Sequence, residues 1–129
     1  MSVKNINPEQ AKGILDGDSN AVYIDVRTEQ EYMNGHVPNS INIPVVWPDP
    51  HFGKDKRIIV GCQAGGRSQF AAELLAQEGF QDVSNMQGGF GGARDPMGRM
   101  IAPGWTQLGF PTENEVPPKS SYGSLRNIG

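Results

Sequence analysis

The stretch Ile58-Ile59-Val60-Gly61-Cys62-Gln63-Ala64-Gly65-Gly66-Arg67-Ser68 decides how this chain is read. Residues 57–61 are rich in β-branched side chains without polar alternation, the pattern of a strand buried on both faces. Over residues 68–78 the apolar positions recur at helical spacing, with Phe70, Ala71, Leu74 and Leu75 expected on one face and Gly79 placed to stop the helix. A buried strand, a Gly-bearing loop and a helix in direct succession predict a sheet covered by helices.

The flanking segments continue that alternation. Upstream, Ala21-Val22-Tyr23-Ile24-Asp25-Val26 reads as another buried strand. Following a short segment over residues 3–6, Asn7-Pro8-Glu9 supplies an N-cap, a first-turn Pro and an acid, which start a helix through Ala11, Ile14 and Leu15 that stops at Gly17. Thr28-Glu29-Gln30-Glu31 fits a capping box opening a short helix to Asn34, ended by Gly35. A short strand is expected at residues 40–43, a loop at 45–56 and a last strand at 82–86. Residues 87–104, crowded with Gly, predict a loop, and residues 105–109 a short helix. The whole predicts an α/β domain over residues 1–115, with a largely parallel sheet flanked by helices on both faces and an insertion at about 91–104. Residues 116–129 are expected to be a C-terminal tail that either docks through Tyr122, Leu125 and Arg126 or stays disordered.

Composition narrows the function. Of 129 residues, 17 are Gly and 10 are Pro, well above average usage. Yet 36% hydrophobic residues and a net charge of -3 fit one globular domain rather than a disordered chain. The 11 Lys and Arg are scattered, which argues against a nucleic-acid partner. No apolar run nears the roughly 20 residues a membrane helix needs, and the start of the chain lacks the apolar stretch of a secretory signal. A cytoplasmic protein without a membrane partner is therefore expected. One Cys excludes an intramolecular disulfide and a multi-thiolate metal site, and His36 and His51 are not spaced with it as zinc ligands, so no metal is expected.

Free cysteine is by type a small, commonly buried hydrophobe, but Cys62 sits where an anion is favoured. A strand-loop-helix turn gathers backbone N–H groups and the positive end of a helix dipole around one point, and Gly65 and Gly66 let the loop curl. No Pro interrupts Gln63 to Ser68, so each residue there keeps an amide to donate. With Arg67 in the same loop, the setting is of the kind that lowers a thiol from about 8.5 toward roughly 3.5–7.5. Cys62 is thus read as a reactive thiolate, and Gln63, Ala64, Gly65, Gly66, Arg67 and Ser68 as its substrate-binding loop.

The segments Ile24-Asp25-Val26-Arg27, Glu31-Tyr32-Met33-Asn34-Gly35-His36-Val37-Pro38-Asn39-Ser40-Ile41-Asn42-Ile43-Pro44, Cys62 to Ser68 and Gly88-Gly89-Phe90 stand in one order. Over residues 7–89 the chain resembles the single-domain rhodanese-like sulfurtransferases. The resemblance implies a five-stranded parallel sheet between helices and a Cys that carries a sulfur atom. On that reading the Cys62 thiolate attacks the outer sulfur of thiosulfate or a similar donor, sulfite leaves, and cyanide or a thiol then takes the sulfur from the Cys62 persulfide. No other cofactor is implied. With no second Cys in the chain, the acceptor must be external, a small thiol or a thiol-bearing protein. The alternative is a non-catalytic or accessory module that binds a partner or relays sulfur.

Loop length argues against related activities. Phosphatase and arsenate-reductase loops resemble this one but place five residues between Cys and Arg, whereas here Gln63 to Gly66 make four. A tighter ring suits one sulfur atom better than a tetrahedral oxyanion. No Gly-Lys-Ser/Thr follows the glycines, which argues against a nucleotide P-loop. Ligands collect at the carboxyl ends of parallel strands, where Asp25, Arg27, Cys62 and residues 87–89 should converge. Asp25 and Arg27 are expected to support the site, either orienting the loop or Arg67, or with Arg27 only pairing with Glu31. His36 is expected to stabilise a turn, and Trp47, His51 and Phe52 either rim the pocket or pack on the domain. Arg94 and Arg99 of the insertion either lean over Cys62 or lie in a solvated loop.

Overall fold

The computed structural model describes residues 3–44 and 54–114. Within them the buried strand of the opening motif is β4 (Arg57–Gly61), preceded by β1 (Lys4–Ile6), β2 (Ala21–Asp25) and β3 (Ile41–Asn42) and followed by β5 (Asp82–Met86). These form a five-stranded sheet in the order β1-β5-β4-β2-β3, with every pairing parallel. β4 takes the centre because Ile58, Ile59 and Val60 are apolar on both faces and all fully buried. Beside it β2 runs in register, with Tyr23 opposite Ile59 and Asp25 opposite Gly61.

Three helices accompany the sheet, α1 (Pro8–Gly17), α2 (Glu29–Met33) and α3 (Gly66–Gln77). Strand alternation sends Ile58, Val60 and Cys62 to one face, where they pack with Ala71, Ala72 and Leu75 of α3. It sends Ile59, with Tyr23 and Met86, to the other face and to Ala11 of α1. The expected caps both form: Asn7 exchanges bonds with Gln10 at 2.8 and 2.9 Å, and Thr28 does so with Glu31 at 3.2 and 3.1 Å.

Several sequence expectations are corrected. Residues 4–6 are a true edge strand, but only Ile6 is buried, so three residues carry no legible period. α3 begins at Gly66 rather than Ser68, because Gly65 takes a left-handed φ of +113° as the helix N-cap. Phe70 does not join the apolar face and is 55% exposed; the buried stripe is Ser68, Ala71, Ala72, Leu75 and Ala76, whose spacing leaves position 70 outside. Residues 105–109 form turns, not a helix, and Trp105 is buried with its indole N–H donated to the Pro111 carbonyl at 2.6 Å. The expected loop at 87–104 contains an antiparallel hairpin, β6 (Ala93–Arg94) and β7 (Met100–Ala102). The Asp95 carboxylate accepts from the amides of Met97 and Arg99 at 2.9 Å each, closing its tip. Trp47, His51 and Phe52, like the tail with Tyr122, Leu125 and Arg126, lie outside the described residues.

Candidate active site

The parallel strands bring three chain segments to one sheet edge. β2 ends in Asp25, β4 runs directly into Cys62, and β5 runs into Gln87-Gly88-Gly89. The backbone under Cys62 is clamped from the β5 side: the amide of Phe90 donates to the Cys62 carbonyl at 2.8 Å, and that of Gly91 to the Gln63 carbonyl at 2.9 Å. So close an approach requires glycine. At Gly89, with φ +61°, a Cβ would meet the Gln63 carbonyl carbon at 2.7 Å and collide with the Cys62 carbonyl oxygen.

Cys62 is buried, and its sulfur sits at the start of α3, where a capping oxygen ordinarily accepts helix amides. The amide of Gly65 donates to Sγ at 3.0 Å. Burial pushes the thiol pKa up, but hydrogen bonds from the Ser68 hydroxyl and from the amides of Ser68, Gly65 and Ala64 outweigh it, and the net shift is downward. Donors therefore lead in favouring the thiolate, and the charge of Arg67 acts in the same direction. The single Ser68 hydroxyl proton is shared between Sγ and Asn85 Oδ1, which lies 2.5 Å from the hydroxyl, and Asn85 in turn donates to Gln69 Oε1 at 3.1 Å and to Asn5 Oδ1 at 3.3 Å. Ser68→Ala is expected to slow iodoacetamide alkylation of Cys62 severalfold at neutral pH, with the rates of the two proteins meeting at high pH. A donor to the thiolate is lost, so the ionisation limb moves to higher pH.

The arginines are placed differently from one reading of the sequence. Arg27 does not pair with Glu31. It turns back to Asp25, with Nη2 2.7 Å from Oδ2 and Nε 3.0 and 3.1 Å from the two carboxylate oxygens. Both side chains are buried, at 3% and 2% exposure. Arg27 also donates to Gln63 Oε1 at 3.2 Å and to the Gly35 carbonyl at 2.7 Å, and its guanidinium lies 4.5 Å from the centre of the Phe90 ring. It thus holds the loop through Gln63. Glu31 is taken by Arg67, at 2.8 and 3.1 Å, besides capping its own helix. The Arg67 hydrogen bonds bring the Glu31 carboxyl from the usual 4.5 down to about 2, so Glu31 is ionised at neutral and mildly acidic pH. Arg67 is consequently not a free cation beside the sulfur.

His36 is fully buried and stacked on Tyr32 with ring centres 3.7 Å apart. Its Nδ1 lies 2.6 Å from the Tyr32 carbonyl, and its backbone exchanges bonds with Glu113 at 2.8 and 2.9 Å, the turn-stabilising place expected for it. Arg94 and Arg99 are held within their own hairpin, Arg94 on the Gly98 carbonyl at 3.0 Å and Arg99 3.7 Å from Asp95. Sequence reading missed Asn85, the Gln63 side chain and the clamping amides of Phe90 and Gly91. For Asn85 a signal existed: a polar residue between Val83 and Met86 near the carboxyl end of a strand expected to be in the sheet.

A cleft of about 350 Å³ opens beside the loop, lined by Arg27, Glu31, Gly35, Gln63, Phe90 and Thr106 among others. The family described as Rhodanese-like domain matches residues 7–94. Thiosulfate sulfurtransferase 16, chloroplastic, of Arabidopsis thaliana is 35% identical over 106 residues, covering 70% of this chain and 78% of that protein. Thiosulfate sulfurtransferase GlpE of Pseudomonas savastanoi pv. phaseolicola is 37% identical over 90 residues, covering 67% and 83%. The crystal structure of a rhodanese-related protein from Thermoplasma volcanium superposes with a TM-score of 0.66 at 28% identity, covering 87% of this chain and 99% of that one.

Proposed function

This chain belongs to the rhodanese-like domain family, and on that premise we propose that it is a sulfurtransferase in which Cys62 is the nucleophile and sulfur carrier. The observation that carries the reading is the Cys62 sulfur seated at the N-terminus of α3 among amide donors. A thiolate in that seat is nucleophilic at neutral pH, and the same donors then face the charge left on the transferred sulfur.

With thiosulfate as donor, the Cys62 thiolate attacks the outer sulfur. A new S–S bond forms, the bond to the sulfonate sulfur breaks, and sulfite departs with its electron pair. The anionic persulfide on Cys62 then gives its terminal sulfur to cyanide as thiocyanate, or to an external thiol, small or protein-borne, and the thiolate returns. Neither half-reaction as written requires a metal or an organic cofactor. Gln63 to Ser68 are the substrate-binding loop on this reading. Asp25 and Arg27 hold its shape through the Gln63 side chain.

The test is intact-mass spectrometry after incubation with a sulfane donor. The chain is expected to gain the mass of one sulfur atom, mapped to the Cys62 peptide, and to release it as thiocyanate when cyanide is added. If neither thiosulfate nor a persulfide loads the protein, the proposed activity is wrong and an accessory module takes its place.

A further inference from the structure

The charge around the loop is unusual for a site that accepts a dianion. Transfer from thiosulfate brings a thiolate against an ion of charge −2, so three negative charges converge in the transition state. Backbone amides supply partial positive charge, but a full cation would oppose that repulsion far better. Among the described residues, both arginines beside the loop are already engaged. Arg27 is locked in a buried pair with Asp25, and the two terminal nitrogens of Arg67, Nη1 and Nη2, lie on the Glu31 carboxylate at 2.8 and 3.1 Å. Position 63, directly after the nucleophile, is a neutral Gln whose amide oxygen is held by Arg27. Residues 45–53 contain no Lys or Arg in sequence.

We propose that Glu31 is a positioning residue that sets donor specificity: by holding the Arg67 guanidinium it disfavours thiosulfate and favours persulfides, whose reacting sulfur arrives with at most one negative charge. This rests on the sulfurtransferase reading above. For a protonated persulfide R–S–S–H, the Cys62 thiolate forms a bond to the outer sulfur and the R–S bond to it breaks. R–S⁻ leaves with the electron pair, and the proton stays on the new Cys62 persulfide. A single negative charge is present throughout, which amide donors alone can accommodate. Arg67 and Glu31 are 43% and 33% exposed, so the charge of the pair is open to solvent. Glu31 and Gln63 both line the cleft beside the loop.

The experiment compares kcat/KM for thiosulfate and for 2-hydroxyethyl persulfide, which carries no charge beyond that of its own terminal sulfur, in the wild type, Glu31→Gln and the Glu31→Gln/Arg67→Gln double variant. Gln keeps the capping box of α2, so the fold is retained. In Glu31→Gln the thiosulfate value is expected to rise about tenfold at low ionic strength, mostly through KM, and the rise to shrink in salt. The persulfide value should stay within about twofold. The double variant should lose the gain for thiosulfate, since that gain depends on the released guanidinium. Parallel changes for both donors, or an unchanged thiosulfate value in folded Glu31→Gln, would overturn the proposal while leaving sulfur transfer in place. A wild type that takes sulfur from neither donor would sink the sulfurtransferase reading itself, and donor specificity with it.

Discussion

Cys62→Ser is expected to bring sulfur transfer down to the uncatalysed background and to leave the fold in place. The reaction needs an atom that is anionic near neutral pH and forms a stable bond to sulfur. A serine hydroxyl in the same seat stays protonated, and the surrounding amides are too weak to ionise it. Packing changes little, because oxygen and sulfur differ modestly in size and the Ser oxygen can accept from the same amides, an ordinary N-cap arrangement. Thermal unfolding should therefore move by no more than the few degrees that about 1 kcal/mol produces in a domain of this size. Thiocyanate production and mass gain on thiosulfate or persulfide are the two readouts, and both should vanish. Residual loading of the serine variant would mean that sulfur is carried elsewhere in the chain.

Arg27→Met is expected to be the most damaging change away from the sulfur. It removes one partner of an ion pair in which both side chains are buried, leaving the Asp25 carboxylate without its main counter-charge. Such losses cost about 3–5 kcal/mol, a large share of the stability of a small domain. Met also lacks the donors that reach Gln63 and the Gly35 carbonyl, so the loop loses a tether on the β2 side. Urea unfolding should show the midpoint collapsing, and sulfur loading in the surviving folded fraction should slow. Asp25→Asn in the same background should restore part of the stability, because it removes the orphaned charge; failure to do so would assign the loss to packing instead.

The parts of this molecule visible in the sequence are those written in local chemistry. Ile58 to Val60 announced a buried strand, Asn7 announced an N-cap and Thr28 a capping box, and the uninterrupted amides after Cys62 announced an anion seat. What stayed hidden depends on contacts across the chain. Which carboxylate each arginine would choose could not be read, because Glu31 is nearer to Arg67 in space than thirty-odd intervening residues suggest. β1 exists because residues 4–6 find the free edge of β5, not because of any period in three residues. The hairpin after Phe90 is set by Asp95 gathering the amides of its own tip, a device that Gly-rich composition conceals. Phe70 shows the reverse error: apolar type suggested burial, and helical phase decided otherwise.

β4 has a hydrogen-bonded neighbour on each side, and the residue after its last position is Cys62, whose carbonyl is itself bound by the amide of Phe90. In amide-exchange terms, the backbone that carries the sulfur is expected to open with the slowest unit of the domain. The lifetime of the intact cradle is then the lifetime of the whole fold. A variant that weakens a distant part of the sheet should shorten it in proportion, whereas fraying at the β3 edge should leave it untouched.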